Sequence, residues 1–336
     1  MVICVYSGRS PDSGAVSSPN YLARQLGIKA GMPIAFAKRL AKDKEVIFLP
    51  NDMEYYRTVS ERIMEILEED ADAIQQVSID EAYLDISGRS GGDWETAQKI
   101  AEGIKRRVKS EEGLTCSIGI GPNKLIAKMA SERQKPDGLA VVRDTQVEGF
   151  LRNLAVLELY GIGKKTAEAL KKLGINTVSE LADFDLRTLE ETLGKNRATI
   201  LQQRAKGIDE SLIEQKESQQ ISRIATLKKD TNNIDVIFEK IRELAADVSA
   251  KAEKKKATFR TISVIVIDNH LKVHARSETT QQTDNIDAVL KTARSLLGRF
   301  LEDNPGVMIR RVGIRIANLA RKEDPEIPRG LDKYFG

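Results

Sequence analysis

The stretch Ser78-Ile79-Asp80-Glu81-Ala82-Tyr83-Leu84-Asp85-Ile86 (residues 78–86) decides how this 336-residue chain is read. Two adjacent carboxylates stand in a strand-like apolar pattern, and charge in such surroundings is costly unless a hard divalent cation neutralises it. The pair therefore points to a metal site. In an ideal strand Asp80 and Glu81 would face opposite ways, so both reach one site only where the backbone turns or bulges. We expect them at the tip or edge of a hairpin. Taken alone, an Asp-Glu pair is more often a solvated turn, and only its context separates the two readings.

That context is two further blocks: SGRSPDSGAVSSPNYLARQLGIKAGMPI upstream (residues 7–34) and NKLIAKMASERQKPDG downstream (residues 123–138). Tyr21 and Arg24 lie one helical turn apart and share a face, suited to a hydroxyl and a guanidinium on one triphosphate. Lys135 precedes Pro136, which biases it away from helical geometry and lets its ammonium project from a helix end. Taken singly, each of the three is ordinary surface.

The three blocks, in this order, resemble the Y-family DNA polymerases, the low-fidelity lesion-bypass enzymes, and the archaeal DNA polymerase IV (DinB) type in particular. The resemblance runs from Val2 to the C-terminus. It implies an α+β multi-domain fold, a right hand with fingers, palm, helix-hairpin-helix thumb and a ferredoxin-like little finger. It further implies template-directed nucleotidyl transfer on primer-template DNA, with two Mg²⁺ ions at Asp80 and Glu81. Glu81 would ligate the cation near the primer hydroxyl rather than act as a lone base. In the matching motifs Tyr21, Arg24, Lys135 and, more weakly, Ser18 bind the incoming deoxynucleoside triphosphate. Gly14 and Ala15 fall where the family faces the nascent base pair, and small side chains there would test its shape loosely; a Gly/Ser turn is the plain alternative.

One departure stands at the beginning. Family members open with an apolar strand whose Asp ligates both ions, followed by an aromatic that excludes ribonucleotides, whereas this sequence starts at Met1, Val2 and Ile3. As written it lacks both, which puts activity in doubt and makes a catalytically impaired DNA-binding remnant the rival reading. A late-assigned start codon or a deletion would account for it. The same strand would fill the middle of the palm sheet, so poor solubility or partial disorder is expected. A metal-dependent nuclease needs similar carboxylates but gives no reason for residues 7–34.

Composition fits a soluble, cytoplasmic chain of two or three domains, with 41% hydrophobic and 31% charged residues. No apolar run is long enough to span a membrane and there is no secretory leader. Cys4 and Cys116 sit in apolar segments and read as buried small hydrophobes. Residues 221–336 carry 22 Lys and Arg against 16 Asp and Glu, and residues 1–220 carry 31 against 34. The basic excess lies in the last third, as expected of a domain gripping nucleic acid through phosphates.

Periodicity and turn signals divide the chain into residues 1–50 (fingers), 51–142 (palm), 143–210 (thumb), 211–220 (linker), 221–320 (little finger) and 321–336 (tail). Residues 143–210 read as wholly helical around Leu159, Tyr160, Gly161, Ile162, Gly163, Lys164 and Lys165. Glycines two apart allow a tight turn and leave amides free at a helix start, where an anion is favoured. This resembles a helix-hairpin-helix that binds a DNA phosphate; a plain turn with a solvated lysine pair is the alternative. Leu193, Gly194 and Lys195 suggest a second. Residues 221–320 read strand, helix, strand, strand, helix, strand, a split β-α-β repeat. In the tail, Leu331, Tyr334 and Phe335 resemble a sliding-clamp-binding motif, although Pro328 replaces its usual Gln; aromatics packed on their own domain would look the same. A monomer is expected.

Overall fold

The computed structural model of the chain describes residues 2–7, 14–42, 44–214 and 219–322. The protein forms two compact units, Met1–Gln215 and Lys216–Gly336.

The first unit opens with β1 (Val2–Ser7), β2 (Ala15–Pro19), α1 (Tyr21–Gln25), α2 (Ile34–Ala41) and β3 (Val46–Pro50). β1 lies in the middle of a three-stranded sheet, antiparallel to β2 and parallel to β3. Alternate residues Val2 and Cys4 point into a core with Val16, Ala23, Ile28 and Ala37. Cys4 is buried as its apolar setting suggests, and burial pushes its thiol pKa up. Gly14 owes its size to packing, because a Cβ there would lie 2.6 Å from the Ser7 carbonyl oxygen.

Next come α3 (Met53–Glu69), β4 (Ala73–Gln76), β5 (Ala82–Asp85), α4 (Ser87–Ser90), α5 (Trp94–Glu112), β6 (Ile118–Ile120), α6 (Lys124–Arg133) and β7 (Leu139–Val141). α5 begins where the Asp93 carboxylate accepts the Thr96 amide, buries Ala97, Ala101, Ile104 and Val108 along one stripe, and ends at left-handed Gly113. Helices alternating with strands over residues 51–142 read, from sequence, as a layered α/β or α+β sheet. Among the described residues there are instead two two-stranded ribbons, antiparallel β4–β5 and parallel β6–β7. Side-chain packing joins them: Leu84 of β5 and Ile118 of β6 meet Ile66, Ile104 and Val108 in one apolar cluster. Cys116, at its edge, is half-buried rather than fully buried. α6 lies close on β6, since a Cβ at Gly119 would come within 2.1 Å of the Ala127 carbonyl oxygen.

α7 (Val147–Arg152), α8 (Lys164–Lys172), α9 (Val178–Asp183), α10 (Leu186–Leu193) and α11 (Lys195–Ala205) complete the unit, with no strand in residues 143–210. Their leucines, among them Leu151, Leu159, Leu170, Leu181 and Leu201, share a core with Leu125 and Ile126 of α6. These helices and α6 are therefore one packed body.

The second unit runs β8 (Gln220–Thr231), α12 (Ile234–Lys254), β9 (Ala257–Asp268), β10 (Val273–Thr283), α13 (Ile286–Asp303), β11 (Ile309–Ala317) and β12 (Ala320–Arg321). This is the order expected of a ferredoxin-like domain. Its main sheet has the order β10-β9-β11-β8, all antiparallel, and β12 adds to β9. Phe259 and Phe300 are fully buried between sheet and helices, each contributing about 1.5–3 kcal/mol of burial.

Candidate active site

Asp80 and Glu81 lie in the connection between β4 and β5, where the Val77 and Ser78 amides both donate to the Glu81 carbonyl. The strand covers only Ala82–Asp85, so the acidic pair occupies the hairpin turn rather than the apolar strand. This corrects the burial premise: Asp80 is exposed and Glu81 half-buried, and their charges are solvated or paired. Ser78 Oγ donates to Asp80 at 2.5 Å.

Glu81 is paired with Lys128 of α6, whose ammonium also donates to Glu132 Oε1 at 2.8 Å. Lys135 donates to the same oxygen at 2.6 Å. An unbroken run of alternating charge thus passes from the hairpin, over the exposed face of α6, to the turn after it. Burial alone would lower the Lys128 pKa, but the Glu132 and Glu81 carboxylates outweigh it and hold the ammonium above the ordinary lysine range. For Glu132, burial works upward and is outweighed by Lys128 and Lys135, which hold its carboxyl below the usual range.

The turn itself contains the cis peptide Lys135–Pro136 and left-handed Asp137. It is pinned by Lys105 of α5, whose ammonium donates to the carbonyls of Cys116 (2.6 Å) and Asp137 (2.9 Å) and to Asp137 Oδ1 (2.5 Å). Lys124, one turn before Lys128, donates to Gln75 Oε1 at 3.0 Å and the Leu212 carbonyl at 2.7 Å. Beside it, burial pushes the Tyr83 hydroxyl up to about 12.

Tyr21 and Arg24 share an exposed face of α1, with the guanidinium carbon 5.9 Å from the ring centroid. Arg24 Nε donates to the Pro19 carbonyl at 3.1 Å, and exposed Ser18 precedes it on β2. Among the described residues, no hydrogen bond or ion pair ties these three to Asp80, Glu81 or Lys135. Sequence reasoning brought out both groups but passed over Lys105, Lys128 and Glu132. The i, i+4 spacing of Lys124, Lys128 and Glu132 on one helix face was the signal available for part of this.

At residues 159–165 Gly161 has φ +98°, a conformation that favours glycine, and a Cβ there would meet Arg204 Nη1 at 2.5 Å. Arg204 in turn caps the Tyr160 carbonyl at 3.3 Å. Gly163 is the N-cap of α8 without a side-chain acceptor, which leaves the first amides of the helix open beside exposed Lys164 and Lys165. Thr166 and Ala167 are buried, so that continuation of the motif serves packing. Gly194 joins α10 directly to α11 in a second tight helix pair. Leu331, Tyr334 and Phe335 lie outside the described residues.

Comparison with known proteins shows what the chain is similar to. Residues 1–132 match the impB/mucB/samB family, residues 218–329 its C-terminal domain, and residues 158–209 the DNA polymerase-iota thumb domain. The chain is 44% identical to a DNA polymerase IV of Methanosarcina acetivorans over 331 residues, 96% of this chain and 90% of that one. It is 38% identical to a DNA polymerase IV of Nitrosopumilus maritimus, over 99% of this chain and 91% of the other. Among solved structures it is similar to a Y-family DNA polymerase chimera of Dbh and Dpo4, with a TM-score of 0.89 and 34% identity over 96% of this chain and 92% of that one. It is also similar to an insertion ternary complex of Dbh DNA polymerase, with a TM-score of 0.69, 34% identity and the same coverage.

Proposed function

Because the chain belongs to the Y family of DNA polymerases, of the DNA polymerase IV (DinB) type, and is a translesion DNA-directed DNA polymerase, we propose that its nucleotidyl transfer is centred on Asp80 and Glu81. The observation that carries this is the solvent-facing acidic turn linked through Lys128 and Glu132 to Lys135. Carboxylate oxygens suit a hard cation, and Mg²⁺ is commonly held by one or two carboxylates together with substrate phosphates. Among the described residues no group of three or more His, Cys, Asp or Glu stands ready to hold a metal ion; in this reading the nucleotide phosphates and the family's first-strand Asp would complete the ligand set. The reading is of two Mg²⁺ ions, Glu81 serving the one near the primer hydroxyl. When bound, the ions activate the attacking oxygen and steady the leaving group.

Lys135, Tyr21, Arg24 and Ser18 bind the triphosphate of the incoming deoxynucleotide in this proposal. The backbone from Gly161 through Gly163 to Lys164, with the Lys164 and Lys165 ammoniums, holds a phosphate of the duplex whatever its sequence. The divisions are those of fingers 1–50, palm 51–142, thumb 143–210, linker 211–220 and little finger 221–320. A clamp tether at Leu331, Tyr334 and Phe335, a monomeric state and a cytoplasmic location belong to the same reading. Among the described residues no helix is long and apolar enough to cross a membrane.

Primer extension with Mg²⁺ by the chain and by the double variant Asp80→Ala, Glu81→Ala tests the proposal. Template-directed extension that vanishes in the variant, with primed-DNA binding retained, supports it. Extension that survives both substitutions overturns it.

A further inference from the structure

Two ammoniums converge on one carboxylate oxygen beside the acidic turn. Lys128 and Lys135 both donate to Glu132 Oε1, at 2.8 and 2.6 Å. Two like charges this close repel by several kcal/mol at the effective dielectric of a protein surface, and the arrangement holds only because an anionic oxygen lies between them. Glu132 supplies one negative charge to two positive partners. A phosphate group offers more charge and three acceptor oxygens to the same pair.

Ordinary helix-surface ion pairs at i, i+3 and i, i+4 spacing are the plain account of Glu132. Two observations go beyond it. Lys128 has only 16% of its side chain exposed and is anchored from a second element by Glu81, so its ammonium is placed rather than loose. Lys135 sits on a turn whose backbone is fixed by the four contacts of Lys105 to Cys116, Asp137 and Gly138. One ammonium and the backbone that carries the other are therefore preorganised about one acceptor position, which lowers the reordering an anion must impose.

We propose that Lys128 is a second phosphate-gripping residue that works with Lys135 as a two-ammonium clamp, and that Glu132 holds the clamp in register and is displaced by the polyphosphate. This rests on the reading of Lys135 as a triphosphate contact and adds to it a partner and a built-in competitor. Loss of Lys128 removes a phosphate contact, whereas neutralising Glu132 removes a rival anion, so the two substitutions act with opposite sign.

The test is binding of inorganic tripolyphosphate to the full chain by calorimetry without divalent cation, comparing Lys135→Met, Lys128→Met, Lys128→Arg and Glu132→Gln. We expect Lys135→Met and Lys128→Met each to weaken binding roughly tenfold or more, the effect of losing one charge-assisted hydrogen bond. Lys128→Arg retains most of the affinity, and Glu132→Gln tightens it several-fold. Thermal melting shows which variants are folded, and the arginine and glutamine variants carry the test if the methionine variant is not. Weakening by Lys135→Met with none by Lys128→Met overturns the clamp and leaves the nucleotide reading standing. Unchanged affinity in Lys135→Met, or no binding by the parent chain, overturns both. A Glu132→Gln variant that binds no tighter than the parent removes the competitor role.

Discussion

Replacing Gly119 with alanine tests whether the seat of α6 on β6 sets the working geometry. A Cβ at this position would lie 2.1 Å from the Ala127 carbonyl oxygen and 2.3 Å from the Ser131 amide nitrogen, where ordinary contact begins near 3.4 Å. Both obstacles are helix backbone and cannot rotate aside, so α6 must retreat by roughly 1 Å for the contact to relax. Overpacking of this kind costs about 1–3 kcal/mol. In a body of about 200 residues each kcal/mol lowers the melting temperature by roughly 2–4 °C. The retreat also carries Lys128 away from Glu81 and moves the turn that holds Lys135. A shift of this size at a positioned site costs on the order of a hundredfold in rate. The assays are thermal melting followed by circular dichroism and single-nucleotide primer extension. Gly103→Ala is the control: Gly103 lies inside α5 with its nearest neighbour, Arg106 Nη2, 4.0 Å from the added carbon. There the same substitution stabilises by about 1 kcal/mol through helix propensity. A Gly119→Ala chain that melts and extends primers like the parent would refute the argument that α6 is held by this contact.

Three further outcomes follow from other contacts. Lys105→Met leaves the Cys116 and Gly138 carbonyls without their ammonium donor, at a cost of about 1–3 kcal/mol; steady-state kinetics should show KM for the nucleotide rising more than kcat falls, because the Lys135 turn loosens. Lys164→Glu and Lys165→Glu weaken duplex binding uniformly across sequences and lower the slope of log affinity against log salt by about one for each lysine lost, read by fluorescence anisotropy; a sequence-dependent loss would contradict backbone binding. In the second unit, buried Asp268 accepts from His274 and from the His270 and Lys272 amides, chiefly the first, which holds its carboxyl below the usual range. A lowered folded pKa contributes stability that is present above the unfolded value, about pH 4, and is lost as pH falls through the folded value; melting of Asp268→Asn should lack that acid decline.

Long helices and the repeat of the second unit were legible because their signals are periodic and local. α5 shows its cap, apolar stripe and closing glycine between Asp93 and Gly113, and α12 its stripe from Ile237 to Ala252. The turn at Asp80 and Glu81 was legible from the conflict between two adjacent carboxylates and strand alternation. Short strands escaped: β2 is half polar and β3 is a continuous apolar run without a period. The pairing of Lys128 with Glu81 was illegible because a lysine on a helix face looks like solvated surface, and the two lie 47 residues apart. The division into two ribbons was hidden as well, since sequence shows which segments are extended but not which edges find each other.

Among the described residues, one apolar cluster is drawn wholly from the second unit and the others wholly from the first. Cooperativity spreads through contiguous packing, so each unit has the means to unfold as its own transition. A calorimetric scan would then show two endotherms. A lesion in the hydrophobic interior of one half would be read in the peak that half contributes. Thermal resistance of the enzyme would then be set by whichever half melts first.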